Sequence, residues 1–455
     1  MVHESANRTG NELQRLIPDV ANKSVLVIVN DVENSKSYTS LLSNTQQLIV
    51  FTESSDTYKQ IDEQLKNAEK SPILNCAKFN NAELQDNLFD VCFLIKSFNR
   101  LNTNEKEKML QNLLKTLKTN GQVFVYESEW SKDKESHSSN PVDVINHFHS
   151  AKLSGKENFS FELIFARPLR SFVEEKQESF HLCYMFKKIA KENDHSNFQD
   201  FLDQQQYTTN GVLRYEKIFG PGFVSTGGLD TTKEFVDSLN LKSNQIVLDV
   251  GCGIGGGDIY MAKTYGCSVV GVDLSTNMVS IAYERSMDTA ASKLKVSFEI
   301  GDIMHHEFEP NSFDVIYSRD TILHISDKMT LFSRLYNWLK PGGQLFISDY
   351  TCAPKSEWSK DYEDYVSQRR YVLLTVPEYG KVLESVGFKD VDAQDATQKF
   401  VECLNRELVR IEANREDFVK EFSNDDYEHL IEGWHSKLKR TASGDQRWGV
   451  FRARK

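Results

Sequence analysis

The feature that most constrains this fold is an internal repeat. Asn87-Leu88-Phe89-Asp90-Val91, followed by residues 114–125, returns as Asn311-Ser312-Phe313-Asp314-Val315, followed by residues 339–347. Each copy reads strand, helix, Gly turn, strand. Upstream, residues 24–29 stand where residues 247–250 do, and residues 48–51 stand where 268–273 do. Downstream, residues 183–188 close the first half as residues 450–455 close the second. Strands alternating with helices call for an α/β fold with a largely parallel sheet, here expected twice. A chain of 455 residues is long enough for two such cores.

The two copies differ where ligand chemistry would be. The second carries Val247-Leu248-Asp249-Val250-Gly251-Cys252-Gly253-Ile254-Gly255-Gly256-Gly257, then a second apolar run ending in Asp273. Glycines after a buried strand permit a sharp turn and a close approach of ligand to the next helix's backbone. Asp273, twenty residues beyond Gly253, falls at the next strand's tip, where a carboxylate can accept from both ribose hydroxyls. Gly251, Gly253 and Gly256 also satisfy the dinucleotide pattern, so NAD remains an alternative. Asp249, Gly301-Asp302-Ile303 and residues 339–344 favour S-adenosylmethionine, a cationic ligand without phosphate that suits carboxylates better than a pyrophosphate would. The first copy has Asn30-Asp31-Val32-Glu33-Asn34 at the loop, and Lys96-Ser97 is read as facing Arg319-Asp320; nothing there matches His324. That half is expected to bind no methyl donor.

Composition excludes several partner classes. A net charge of −12 argues against nucleic acid or an anionic membrane as the main partner. No run of about eighteen apolar residues exists and the amino terminus lacks the form of a signal peptide, so a cytoplasmic protein is expected. The seven cysteines show no C-x-x-C pairing or zinc-like spacing, and His305-His306 reads as a polar loop, so no metal is expected.

A family resemblance emerges from several separated motifs. Gln206-Tyr207-Thr208, Tyr215 to Gly220, Val224 to Gly228, the glycine loop, Tyr317 to His324, Ser348-Asp349-Tyr350 and Gln446 to Gly449 resemble the phosphoethanolamine N-methyltransferases over about residues 200 to 455. A degenerate first domain before an intact second resembles the nematode enzymes of the second type. Those methylate phosphomonomethylethanolamine and phosphodimethylethanolamine to phosphocholine, while a sister type makes the first methylation. Plant relatives carry two working domains, and the sequence at Asn30 departs from them. The resemblance implies a Rossmann-like class I methyltransferase fold in two tandem copies, residues 1–190 degenerate and non-catalytic and 206–455 the catalytic domain with an N-terminal lid; residues 191–205, charged and amide-rich, read as the linker. It also implies S-adenosylmethionine as donor, S-adenosylhomocysteine as product, a small phosphobase as partner, and a monomer.

Site roles follow from the same resemblance. Tyr207 and His324 would form a catalytic dyad that closes over both substrates. The donor would meet Asp249 and Gly251 at its methionine end, Asp273 and Leu274 at the ribose, Asp302 and Ile303 at the adenine, and Arg319 beside the methionine moiety. Gly253, Val224 and Ser225 complete that set, the last two on a segment with Gly220, Gly222, Gly227 and Gly228 suited to hinging. Thr226 departs from the family's second serine. The phosphate would meet Tyr350, Tyr365, Arg369, Tyr371 and Lys437, with Asp320 near the amine and Gln206 and Tyr215 also at the substrate. Arg370 reads as a solvated helix residue.

The residues support this chemistry independently. Methyl transfer needs an amine lone pair aligned with the sulfonium methyl, and phosphobase amines are mostly protonated near neutrality, so a proton acceptor such as His324 is required. A guanidinium offers paired donors to phosphate, and Tyr faces can hold a methylated cation. A sterol-type or tocopherol-type acceptor would not need this polar lining. An NAD-dependent oxidoreductase and a binding protein without catalysis are the other readings.

Overall fold

The computed structural model describes residues 20–29, 45–65, 73–75, 77, 79, 84–130, 141–151, 159–169, 180–190, 198–286 and 294–455. The chain divides into two compact units, Met1–Asn197 and Phe198–Lys455. In the first, the strands are β1 (Ser24–Val29), β2 (Gln47–Phe51), β3 (Ile73–Asn75), β4 (Phe89–Ile95), β5 (Leu117–Trp130), β6 (Phe159–Leu169) and β7 (Phe180–Ala190). Their order is β3-β2-β1-β4-β5-β7-β6, parallel except where β7 runs antiparallel to both neighbours. Continuous apolar runs such as Val25 to Val29 are buried throughout, as a sheet covered on both faces requires.

The second unit repeats the order. Its strands are β8 (Ile246–Val250), β9 (Ser268–Asp273), β10 (Val296–Gly301), β11 (Phe313–Arg319), β12 (Leu339–Cys352), β13 (Lys389–Asp395) and β14 (Gln446–Arg454). They lie β10-β9-β8-β11-β12-β14-β13, with β14 antiparallel to both neighbours. One core gathers Leu248, Ile316, Phe332, Trp338, Tyr379 and Phe451 under the helices on one face.

The repeat extends to local contacts. Asp90 accepts from the Ser24 amide and from Lys118 (2.9 and 2.8 Å), while Asp314 accepts from the Ile246 amide and Lys340 (both 2.8 Å). Lys188 reaches Asn87 as Lys455 reaches Asn311, at 3.2 and 3.0 Å. The β4–β5 and β11–β12 ladders both shift register just after their first pair. These matches correct one sequence pairing. Left-handed Lys96 and Asp320 share a position, each amide donating to the adjoining strand at 2.7 Å, so Arg319-Asp320 is matched by Ile95-Lys96 and not by Lys96-Ser97. By register, Asp249 corresponds to Val27 and Asp273 to Thr52. The Asn30 to Asn34 segment lies outside the described residues.

A second difference concerns the linker. Residues 198–205, read as linker, are helical and belong to the second unit; 191–197 lie outside the described residues. Phe201 and Leu202 are buried, and Gln199 donates to the Leu274 carbonyl (2.8 Å), which gives this segment a tertiary reason to order.

Candidate active site

A cavity opens beyond the carboxyl ends of β8 to β11, where chain order reverses in an α/β sheet and ligands bind. All ten donor candidates line it: Val224, Ser225, Asp249, Gly251, Gly253, Asp273, Leu274, Asp302, Ile303 and Arg319. Tyr207, Asp320 and His324 line it too. Gly251 must lack a side chain, because a Cβ there would lie 2.0 Å from the Thr321 hydroxyl on a backbone at φ +84. Gly256 also lines this cavity and has a further reason to lack a side chain. Its Cβ would sit 2.0 Å from the Gly222 carbonyl, so it admits the backbone of the segment that covers the loop.

The carboxylates divide their work. Asp273 accepts from the Gly253 and Ser275 amides (2.9 and 2.8 Å), which fixes the glycine loop to the tip of β9. Burial raises its carboxyl to about 6, opposed by those two amides. Asp302 accepts from the Met304 amide at 2.8 Å. Asp249 is buried beside Asp258, and burial followed by that second carboxyl pushes its pKa well up. Its Oδ1 is buried without a hydrogen-bond partner, an arrangement that suits a cationic ligand group.

Arg319 and Asp320, at the end of β11, hold the covering segment. Arg319 donates to the Thr232 and Thr231 hydroxyls (2.7 and 2.8 Å) and to the Thr226 carbonyl. Asp320 accepts from the Thr226 amide (3.1 Å) and from the Trp448 indole (2.8 Å). Thr226 thus meets Arg319 and Asp320 through its backbone, and its side chain bonds Tyr350. The segment runs from helix Thr209–Phe219 through left-handed Gly220, Gly222, Gly227 and Gly228 into helix Gly228–Asp237.

Tyr207 and His324 meet as expected. The Tyr207 hydroxyl lies 3.3 Å from His324 Nε2, and the Gln206 amide donates to that hydroxyl at 2.9 Å. A π-helical turn, Leu202–Gln206, delivers the pair Gln206-Tyr207, and the Tyr207 amide donates back to Leu202 at 2.6 Å. His324 ends a short 3-10 turn after β11, with its ring between Phe198 (5.6 Å) and Tyr371 (5.0 Å). Burial, then Lys328 and Arg369, lowers its pKa to about 3, so the imidazole is neutral and Nε2 can accept from Tyr207.

A second, polar cavity holds Gln206, Tyr215, Tyr365, Arg369 and Lys437. Helix Lys360–Arg369 sets Tyr365 and Arg369 one turn apart, with the guanidinium 6.0 Å from the Tyr365 ring centre. Burial, then Arg369 and Arg440, pulls Lys437 down to about 8, against Glu407 and Asp320. Tyr350 and Tyr371 stand 6.4 Å apart, and Tyr371 touches both Tyr365 (5.8 Å) and His324. The tyrosines thus connect the cationic cavity to the dyad.

Arg370 is exposed, as its sequence reading expected. It caps its helix at φ 55 and lies 4.2 Å over Phe201. His306 lies in a loop as expected but is buried there, paired with Glu299 at 2.6 Å. Among the described residues, no group of three or more His, Cys, Asp or Glu could hold a metal ion. Several positioning residues have no local sequence signal. Asp203 accepts from the Ser275 hydroxyl (2.6 Å), Asn277 donates to the Tyr207 carbonyl (2.9 Å), and Lys328 donates to the Ile322, Ile325 and Val372 carbonyls around His324.

Residues 247–343 match the family described as methyltransferase domain. Over 457 aligned residues the chain is 40% identical to phosphoethanolamine N-methyltransferase 1 of Triticum aestivum, covering 98% of this chain and 90% of that one. The chain belongs to the phosphoethanolamine N-methyltransferase family. Within that family, Caenorhabditis elegans phosphoethanolamine N-methyltransferase 2 is 38% identical over 287 residues, 63% of this chain and 65% of its own length. The solved structure of Haemonchus contortus phosphoethanolamine N-methyltransferase 2, in complex with phosphomonomethylethanolamine and S-adenosylhomocysteine, superposes with a TM-score of 0.81 at 29% identity over 98% of both chains.

Proposed function

We propose that this chain transfers methyl groups from S-adenosylmethionine to phosphomonomethylethanolamine and phosphodimethylethanolamine, giving phosphocholine. The observation that carries this reading is the Tyr207–His324 contact, which lines the acid-bearing donor cavity beside Gln206 of a second cavity that holds Arg369, Lys437, Tyr215 and Tyr365. Asp249 takes the donor's methionine end, Asp273 its ribose and Asp302 its adenine edge. Bound there, S-adenosylmethionine supplies the activated methyl group. Arg369 and Lys437 take the phosphate with Tyr350, Tyr365 and Tyr371, while Asp320 faces the amine. The amine must shed a proton before it attacks; the Tyr207 hydroxyl can take it while passing its own proton to Nε2 of neutral His324, and the pair aligns the nucleophile. Closure of residues 207–228 excludes water. Methylation of phosphobases by related enzymes supports this choice over the sterol-type or nicotinamide alternatives.

The second unit carries catalysis in this reading. At the positions of Asp249, Asp273 and Arg319 the first unit has Val27, Thr52 and Ile95, which supports a non-catalytic role for it. A cytoplasmic monomer is the working form proposed. The buried free thiols at Cys92, Cys183, Cys252, Cys267, Cys352 and Cys403 suit a reducing compartment, and among the described residues no helix is long and apolar enough to cross a membrane. Light scattering on the eluting protein tests the monomer. Transfer of labelled methyl to each of the three phosphobases tests the activity.

A further inference from the structure

Glu407 lies outside both substrate sets, yet it is the point at which their supports meet. It projects from helix Thr397–Ala413 and is 2% exposed. One carboxylate oxygen accepts from the Gly227 amide at 2.7 Å, and the other accepts from the Trp434 indole N–H at 2.8 Å. Each end of this bridge leads to a different cavity.

On the Gly227 side is the hinge of the covering segment. Gly227 and Gly228 are both left-handed, and a Cβ on Gly228 would lie 2.1 Å from the Phe219 carbonyl, so this hinge position cannot carry a side chain. Val224 and Ser225, immediately before it, line the donor cavity. Arg319 and Asp320 grip the flanking Thr226, so Glu407 is the third charged group holding this turn. On the Trp434 side is the phosphate cavity. The Lys437 ammonium sits 3.7 Å over the Trp434 ring, and the same ring packs on Phe219 (5.2 Å) and Tyr215 (6.1 Å). Lys437, Trp434 and Tyr215 all line that cavity.

We propose that Glu407 is a positioning residue that couples donor and acceptor binding by tying the Gly227 hinge to Trp434 and, through the indole, to Lys437. A buried carboxylate with one N–H on each oxygen has a single satisfied geometry, so displacement of either donor costs the other its alignment. The hinge position that closes over the donor is therefore the one that seats Lys437 for phosphate. By linkage, donor binding then tightens phosphobase binding and the reverse holds by the same factor. The inference rests on the functional reading above.

Calorimetry with S-adenosylhomocysteine and phosphomonomethylethanolamine on the full chain tests it. In the unmodified protein, S-adenosylhomocysteine should tighten phosphobase binding by about five-fold or more. Glu407→Gln keeps the shape but cannot accept from both N–H groups, and Trp434→Phe removes the indole donor while keeping a ring beneath Lys437. In each, the ratio should fall to within about two-fold of unity, and the double variant should lose no more than either single one. A ratio near one in the unmodified protein overturns the proposal. So does a ratio that survives in a folded Glu407→Gln protein whose melting temperature alone has dropped, because that is what a purely structural role predicts. Absence of any phosphobase binding to the unmodified protein contradicts the substrate reading itself and removes this inference with it.

Discussion

Burial holds the His324 imidazole neutral down to about pH 3, and this fixes how it can act. A neutral ring whose Nε2 takes the Tyr207 hydroxyl aligns that hydroxyl and can receive a proton only through it, and it is not a standing positive charge beside a sulfonium. His324→Ala should therefore lower turnover by about 100- to 10,000-fold while leaving S-adenosylmethionine affinity within a few-fold, read from single-turnover rates and calorimetry. The same environment predicts a stability effect. Its folded pKa lies below the unfolded value of about 6.5, so its contribution is complete above that pH and is lost as pH falls towards 3. His324→Gln should flatten the fall in melting temperature across that window relative to the unmodified chain. Lys437 behaves oppositely in use: with its pKa lowered to about 8, it gives up charge as pH rises. KM for the phosphobase should climb above pH 8 while turnover changes less, and Lys437→Met should abolish the climb and raise KM at every pH.

Elements explain which residues could be read ahead of the structure. Asp249, Gly251, Gly253, Asp273 and Asp302 were legible because apolar runs mark the strands, and ligands of a doubly wound sheet sit at the strands' carboxyl ends. Arg319 to His324 also fall at a strand end, that of β11, but their roles came from the family resemblance. Gln199, Asp203, Asn277, Lys328 and Glu407 were not legible. Each has a partner distant in sequence, such as Glu407 with Gly227 or Lys328 with Val372, although Lys328 also bonds nearby Ile322 and Ile325. Residues 198–205 illustrate the point: their polar composition reads as linker, but Phe201 and Leu202 are buried and Asp203 bonds to the turn after Asp273. A chain beginning at Asp203 or later should lose transfer, because the π-helical turn that presents Tyr207 would lack its support. One beginning before Phe198 should keep it. Comparing the folded fragments by labelled methyl transfer distinguishes these outcomes.

At the scale of the whole molecule, one topology occurs twice with different side chains at the same places. Shared framework contacts, such as Asp90 with Lys118 and Asp314 with Lys340, preserve the strand arrangement in each unit. The positions that would meet a donor have become Val27, Thr52 and Ile95 in the first unit. Sequence similarity recovered the repeat but misplaced Ile95-Lys96 by one residue, because Lys96 aligns by charge with Arg319 whereas its left-handed backbone aligns with Asp320. The central claim is that a single site methylates the partly methylated phosphobases. Labelled methyl transfer from S-adenosylmethionine to phosphomonomethylethanolamine, by the full chain and by Asp249→Asn, tests it most directly. The account predicts phosphocholine as the end product for the unmodified chain and little transfer for the variant. Undiminished transfer by Asp249→Asn, or none by the unmodified chain, would contradict it.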